Sequence, residues 1–125
     1  MNREIKFRGW DKETKEMYNN IQDGNCFDDG SVYSFPDFLE NRGCHEFEIM
    51  QFTGLKDKNG VDIYEGDIVS GDIEGIIGFE RGCFCGFYYD SSMEISDSWE
   101  DPLRLHCNDI TVIGNVFQNP ELLKT

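Results

Sequence analysis

Positive charge is what this chain has least of. Eleven Lys and Arg stand against twenty-five Asp and Glu, a formal net charge of −14 over 125 residues. Binding to DNA or RNA draws most of its strength from cations that neutralise phosphates, so direct nucleic-acid binding is excluded as the main activity. Long apolar runs are missing too: none approaches the ~18 residues that argue for a membrane span. The N-terminal Met-Asn-Arg-Glu-Ile-Lys-Phe-Arg alternates charged and apolar side chains and lacks the continuous apolar segment of a signal peptide. There is no glycine loop leading into Lys and Ser or Thr to cradle a phosphate. Nor are there paired cysteines at the spacing of a zinc knuckle. The five cysteines (Cys26, Cys44, Cys83, Cys85 and Cys107) are odd in number and show no framework spacing. They suit the reduced thiols of a cytosol. The expectation is a soluble, cytoplasmic protein with no cofactor, no bound metal and no membrane contact.

Aromatic residues, by contrast, are abundant, at 14% with ten Phe, which supplies a core and argues against disorder. A chain of this length reads as one domain over residues 1–125, and it buries roughly two-thirds of its unfolded surface. The acids are unevenly spread. From Asn59 to Leu103 there are eleven acids and one base, Arg81. An acidic face keeps a protein soluble, and it also competes with nucleic acid for a basic partner.

Ile5, Phe7 and Gly9 alternate with Lys6, Arg8 and Trp10, the period of a half-buried strand, and Met17, Tyr18 and Ile21 return as the second arm of a hairpin. Asp23 to Ser31 reads as a loop. Ser34 to Gly43 is a short helix, with Pro36 and Asp37 in its first turn and Gly43 as its stop. His45 to Phe52 alternates again, and its mixed second face points to partial burial. Asp57-Lys58-Asn59-Gly60 suits a type I′ turn. Gly54 and Gly66 mark further turns, and Ile73–Phe79 with Cys83–Tyr89 forms a hairpin near Arg81-Gly82. Gly75 and Gly78 inside its first arm signal a bulge or the close approach of other atoms. Asp90 to Pro102 reads as an acidic loop, and Leu103–Cys107 and Ile110–Phe117 as two closing strands. Asn119-Pro120-Glu121 supplies the cap of a last helical turn. Short strands between glycine turns place the chain in the all-β class. It is either a small SH3-like barrel or packed sheets, with an N-terminal hairpin and one or two short helical turns.

Three blocks carry a family resemblance. Ile5-Lys-Phe-Arg-Gly-Trp-Asp11, Phe52-Thr-Gly-Leu-Lys-Asp-Lys-Asn-Gly60 with Ile63-Tyr-Glu-Gly-Asp-Ile-Val69, and Val112-Ile-Gly-Asn-Val-Phe-Gln-Asn-Pro-Glu-Leu-Leu123 together resemble the YopX family of small bacteriophage and prophage proteins. The resemblance implies an SH3-like all-β fold, allows an oligomer, and implies a phage-encoded protein acting in the host cytoplasm. It transfers no catalytic residue.

The residue patterns favour no reaction. Cys83 and Cys85 share a strand face, and Cys44-His45 and His106-Cys107 are the other Cys-His neighbours. Alternate cysteines on a strand are usually small buried hydrophobes. His45 and His106 each stand beside a cysteine on an expected strand, where neighbours face opposite sides, so neither pair is a natural catalytic dyad. Asp28-Asp29, Asp62 with Glu65 and Asp67, and Glu100-Asp101 are paired carboxylates, but acids this common carry little signal. The remaining concentration is aromatic: Phe84, Phe87, Tyr88, Tyr89 and Trp99 lie beside the most acidic segment. Large aromatics inside a charged rim anchor protein contacts well. The candidate contact residues are therefore Phe87, Tyr88, Tyr89, Asp90, Glu94, Asp97, Trp99, Glu100 and Asp101. They imply a non-enzymatic module that binds a host or phage protein. An acidic mimic of DNA that occupies a host nucleic-acid-binding protein is the alternative. A metal-dependent hydrolase stands third.

Overall fold

The computed structural model describes residues 5–27, 30–40, 46–80, 82–89 and 95–123. The described residues are mostly strand, and the α-helix among them is five residues long, so the fold is all-β. The chain divides into two compact units, Met1–Phe52 and Thr53–Thr125, with no linker composition in the sequence to mark the join.

In the first unit, β1 (Phe7–Asp11) and β2 (Glu16–Asn19) form the N-terminal hairpin, with Gly9 opposite Tyr18. Asp11 closes it. Its buried Oδ1 accepts the N–H groups of Glu13 and Thr14 at 2.9 and 3.2 Å, so the carboxylate belongs to the turn. Ile21 does not return in the second arm. It lies in a 3-10 turn, Ile21–Asp23, with its side chain wholly buried. The segment read as a loop contains two short paired strands, β3 (Asn25–Cys26) and β4 (Val32–Tyr33). Helix α1 spans Phe35–Leu39, and the Asp37 carboxylate accepts the N–H and hydroxyl of Ser34 at 2.8 and 2.9 Å, anchoring its first turn. The helix is shorter than expected, and Gly43 lies outside the described residues. Strand β5 (Phe47–Lys56) pairs with β1, Ile49 opposite Gly9. Phe47 and Ile49 pack with Ile21, Phe38 and the surrounding rings. Phe38 meets Phe47 at 4.8 Å in an edge-to-face contact. The second face of β5 is partly buried, as expected: Met50 and Phe52 are almost fully covered, while the Glu48 side chain is 42% exposed.

In the second unit, β6 (Asp62–Tyr64) lies beside the end of β5. The main sheet is β7 (Asp67–Gly71), β8 (Gly75–Glu80), β9 (Cys83–Tyr89), β10 (Ile95–Ser98) and β11 (Ile110–Asn115), in the order β10-β9-β8-β7-β11 and antiparallel throughout. Alternation along β7 and β8 splits the apolar residues between two clusters. Val69 and Ile77 join Ile63, Phe84, Trp99, Leu103 and Ile110, while Ile68 and Ile76 pack with Val116 and Leu122.

Gly66 lies in a turn at φ +85°, as expected, while the other two glycine corners differ from the expectation. Gly54 is no turn. It sits inside β5 at φ +85°, a left-handed residue within a strand. At the next corner only Gly60 has positive φ (+82°), and its N–H donates to the Asp57 carbonyl at 3.0 Å. Asn59 stays at negative φ, so the type I′ geometry is replaced by a type I turn ending in a left-handed glycine. Asp57 holds this corner together. Its Oδ1 accepts from Asn59 and Val61 at 2.8 and 3.0 Å, and its Oδ2 accepts from Val112 in β11 at 2.9 Å. Leu103–Cys107 is not a strand either. Leu103–Leu105 and Cys107–Asp109 are 3-10 helices, and the buried Leu103, Cys107 and Ile110 recur at a helical spacing. Asn119 does not cap the last turn (Pro120–Leu123) with its side chain. Its Oδ1 accepts instead from the Asn115 N–H at 3.2 Å.

Candidate functional site

Within the second unit, a cleft of about 460 Å³ is lined by Ile73, Tyr88, Ser98, Trp99, Glu100, Asp101 and His106. Its floor begins with two glycines. A Cβ on Gly75 would sit 2.9 Å from the Trp99 Nε1, and one on Gly86 would fall within the Trp99 ring. Their hydrogens leave a lane across β8 and β9 in which the indole lies flat. Trp99 is fixed there by two bonds: its backbone N–H donates to the Gly86 carbonyl at 2.7 Å, and its Nε1–H donates to the Glu74 carbonyl at 3.0 Å. The close approach expected at Gly75 and Gly78 is present. The partner at Gly78 is the Phe87 ring.

The chain after Trp99 builds the rim. Glu100 and Asp101 are exposed, and Pro102 leads into the first 3-10 helix. The His106 N–H donates to the Leu103 carbonyl at 2.9 Å, which turns the imidazole back over the cleft. Its ring meets Trp99 edge-on at 5.4 Å, and its Nε2 lies 3.5 Å from Asp101 Oδ2. Across the opening, Tyr88 is 41% exposed. Among the described residues the lining holds two carboxylates and no Lys or Arg.

The structure therefore sorts the expected contact residues. Tyr88, Trp99, Glu100 and Asp101 come together at one cleft. Trp99 is corrected from an exposed anchor to a floor residue, 2% exposed, because the glycine lane swallows its ring. Phe87 points to the other face of β9, against Gly78, as strand alternation from Tyr88 requires. Phe84 belongs to the core. Asp90 and Glu94 lie outside the described residues, as do the side chains of Tyr89 and Asp97. The segment read as an acidic loop contains β10, which pairs with β9. His106 was set aside as an isolated histidine on a strand. It stands instead between two 3-10 helices, five residues after its carboxylate neighbour, where strand reasoning could not place it.

The other candidate ligands do not converge. Among the described residues no three of His, Cys, Asp and Glu group as a metal site. Cys85 and Cys107 are buried, and the Cys107 thiol donates to the Arg104 carbonyl at 3.6 Å. Cys44, His45, Asp28 and Asp29 lie outside the described residues. Asp67 is buried and accepts the Tyr64 N–H at 2.8 Å, a turn-closing role, while Asp62 pairs with Lys56 at 2.8 Å. At Asp57, burial pushes the carboxyl up, but the N–H groups of Val112, Val61 and Asn59, with Lys58 nearby, outweigh it and hold the group below its ordinary 3.8. Asp57 and Asp67 thus serve the backbone.

A family model described as YopX protein matches residues 6–124. The chain belongs to the YopX family. Among solved structures, this YopX-family chain is similar to protein EF1440 from Enterococcus faecalis. The two are 31% identical, the match covers 98% of this chain and 100% of that one, and the TM-score is 0.57. A comparison with curated proteins finds no match. Among the described residues no helix is long and apolar enough to cross a membrane.

Proposed function

We propose that this YopX-family protein is a non-enzymatic, protein-binding β module, encoded by a bacteriophage or prophage and acting in the cytoplasm of a bacterial host. Its contact surface is the cleft around Tyr88, Glu100 and Asp101. The observation that carries this reading is the convergence of an exposed tyrosine and two exposed carboxylates on the rim of one cleft, over a tryptophan floor that the fold holds rigid. An aromatic anchor beside rim charges is the usual composition of an energetically dominant contact. Rigid walls lose little entropy on binding.

The non-enzymatic part of the reading is supported by how the acids are used. Asp11, Asp57 and Asp67, the buried carboxylates, accept backbone N–H groups and close turns. Ser98, Asp101 and His106 share the cleft, but among the described residues no hydrogen bond joins the Ser98 hydroxyl to His106, as an activated nucleophile would require. The likeness to a protein of Enterococcus faecalis supports the bacterial setting.

The test is affinity capture from a bacterial host lysate with tagged wild type and the double variant Tyr88→Ala/Asp101→Asn. A partner retained by wild type and lost by the variant, at unchanged thermal stability, is the expected result. Equal retention by both proteins would remove the cleft as the contact surface.

A further inference from the structure

We propose that the cleft is a seat for an arginine side chain projecting from a basic segment of the partner; this rests on the cleft being a protein contact. Charge complementarity is the first argument. Among the described residues the lining carries Glu100 and Asp101, His106 and no Lys or Arg, and it lies in a stretch where eleven acids face Arg81 alone. Arg104 is exposed on the neighbouring 3-10 helix and is not among the described lining residues. A concave, acidic site focuses its field and concentrates cations.

The second argument selects arginine over lysine. Beside the carboxylates the cleft presents one exposed flat aromatic surface, the Tyr88 ring, with Ile73 also in the lining. A guanidinium is planar and weakly hydrated. It stacks on aromatic surface while its forked N–H groups engage a carboxylate, whereas an ammonium keeps its water and makes point contacts. Asp101 is open to such a donor. Its side chain is 58% exposed, and its imidazole neighbour stands at 3.5 Å, too far for a strong bond. The floor needs no rearrangement, since Trp99 is already fixed from both ends.

The experiment titrates the ¹⁵N-labelled full chain with capped Gly-Gly-Arg-Gly-Gly, and with the same peptide carrying lysine or the neutral isostere citrulline. The arginine peptide is expected to shift the Trp99 indole N–H and the Tyr88 amide, the lysine peptide to bind more weakly, and citrulline to give no shift. Glu100→Gln/Asp101→Asn should weaken the arginine peptide about tenfold, as loss of one good charge pair does, at unchanged thermal stability. The paired change Asp72→Asn/Glu121→Gln, outside the cleft, should leave it untouched. Equal binding of arginine and citrulline, or equal weakening by the two double variants, would overturn the proposal. A cleft-dependent lysate partner alongside a silent arginine peptide would overturn this inference and leave the protein-contact reading standing. Arginine binding with lysate capture that ignores the cleft would overturn the protein-contact reading and this inference with it.

Discussion

Asp57 is where the fold of the second unit is most exposed to a single change. Its carboxylate accepts three backbone N–H groups, two from its own turn and one from Val112, fifty-five residues away. The turn reaches β11 a second time through the Lys58 N–H, which donates to the Ile110 carbonyl at 3.2 Å. Hydrogen bonds to a charged acceptor contribute about 1.5–3 kcal/mol each where water cannot substitute. The turn N–H groups are partly rehydrated when the acceptor is lost, and removing the carboxylate also relieves the cost of burying it. We therefore expect Asp57→Ala to cost about 3 kcal/mol. Asp57→Asn keeps one oxygen for the turn but points an N–H at that of Val112, at a cost of about 2 kcal/mol. For a unit of this size Asp57→Ala would lower Tm by about 12–24 °C. The dependence on pH separates this account from a simple packing loss. Because the folded group lies below its ordinary 3.8, its stabilisation is complete above that value and fades as pH falls through the folded pKa. Guanidinium unfolding of wild type and Asp57→Asn, followed by tryptophan emission, should show a constant gap from about pH 5 to 8 that narrows below about pH 4. A gap under about 0.5 kcal/mol at neutral pH, or one that does not change on acidification, would refute the reasoning.

Three further outcomes are expected. Gly86→Ala places a methyl inside the Trp99 ring and should eject the indole, costing about 3–5 kcal/mol, the loss of a buried aromatic, and shifting Trp99 emission to the red in a Trp10→Phe background; an unshifted spectrum would show that the lane is wider than described. The Tyr18 phenol is pushed up to about 12, by burial first and then by the hydrogen bond it donates to Glu16 at 2.8 Å. Ultraviolet titration should find one tyrosine still protonated at about pH 11, and Glu16→Ala should bring it only part of the way down, because the burial remains. Exposed Cys26 should react with a thiol reagent in the native protein well before buried Cys85 and Cys107, as read by peptide mapping.

Local periodicity and turn chemistry were enough to establish the all-β class, the two main hairpins and the start of α1, because these depend on residues close together in the chain; the family was legible from the resemblance of three sequence blocks. Of the acid-rich aromatic segment, Tyr88, Glu100 and Asp101 meet at one cleft. What local reasoning missed has a common cause. Gly54 looks like a turn residue in isolation, yet β5 continues through it because pairing on either side holds the strand extended. Leu103, Cys107 and Ile110 read as strand by composition, while the core beneath them takes them at helical spacing. Trp99 was legible as an aromatic beside acids. Only the lane left by Gly75 and Gly86, on two different strands, decides that it is a buried floor and not an exposed anchor. The approach of Asp101 to His106 likewise comes from two successive 3-10 turns rather than from any spacing a strand or an α-helix would bring together. The fold class, most of the strands and the places where charge and aromatics concentrate are legible in the chain alone, since those are local properties. The cleft, its rigid floor and the choice of side chains facing into it were decided by tertiary structure, because each depends on contacts between strands that the chain brings together only on folding.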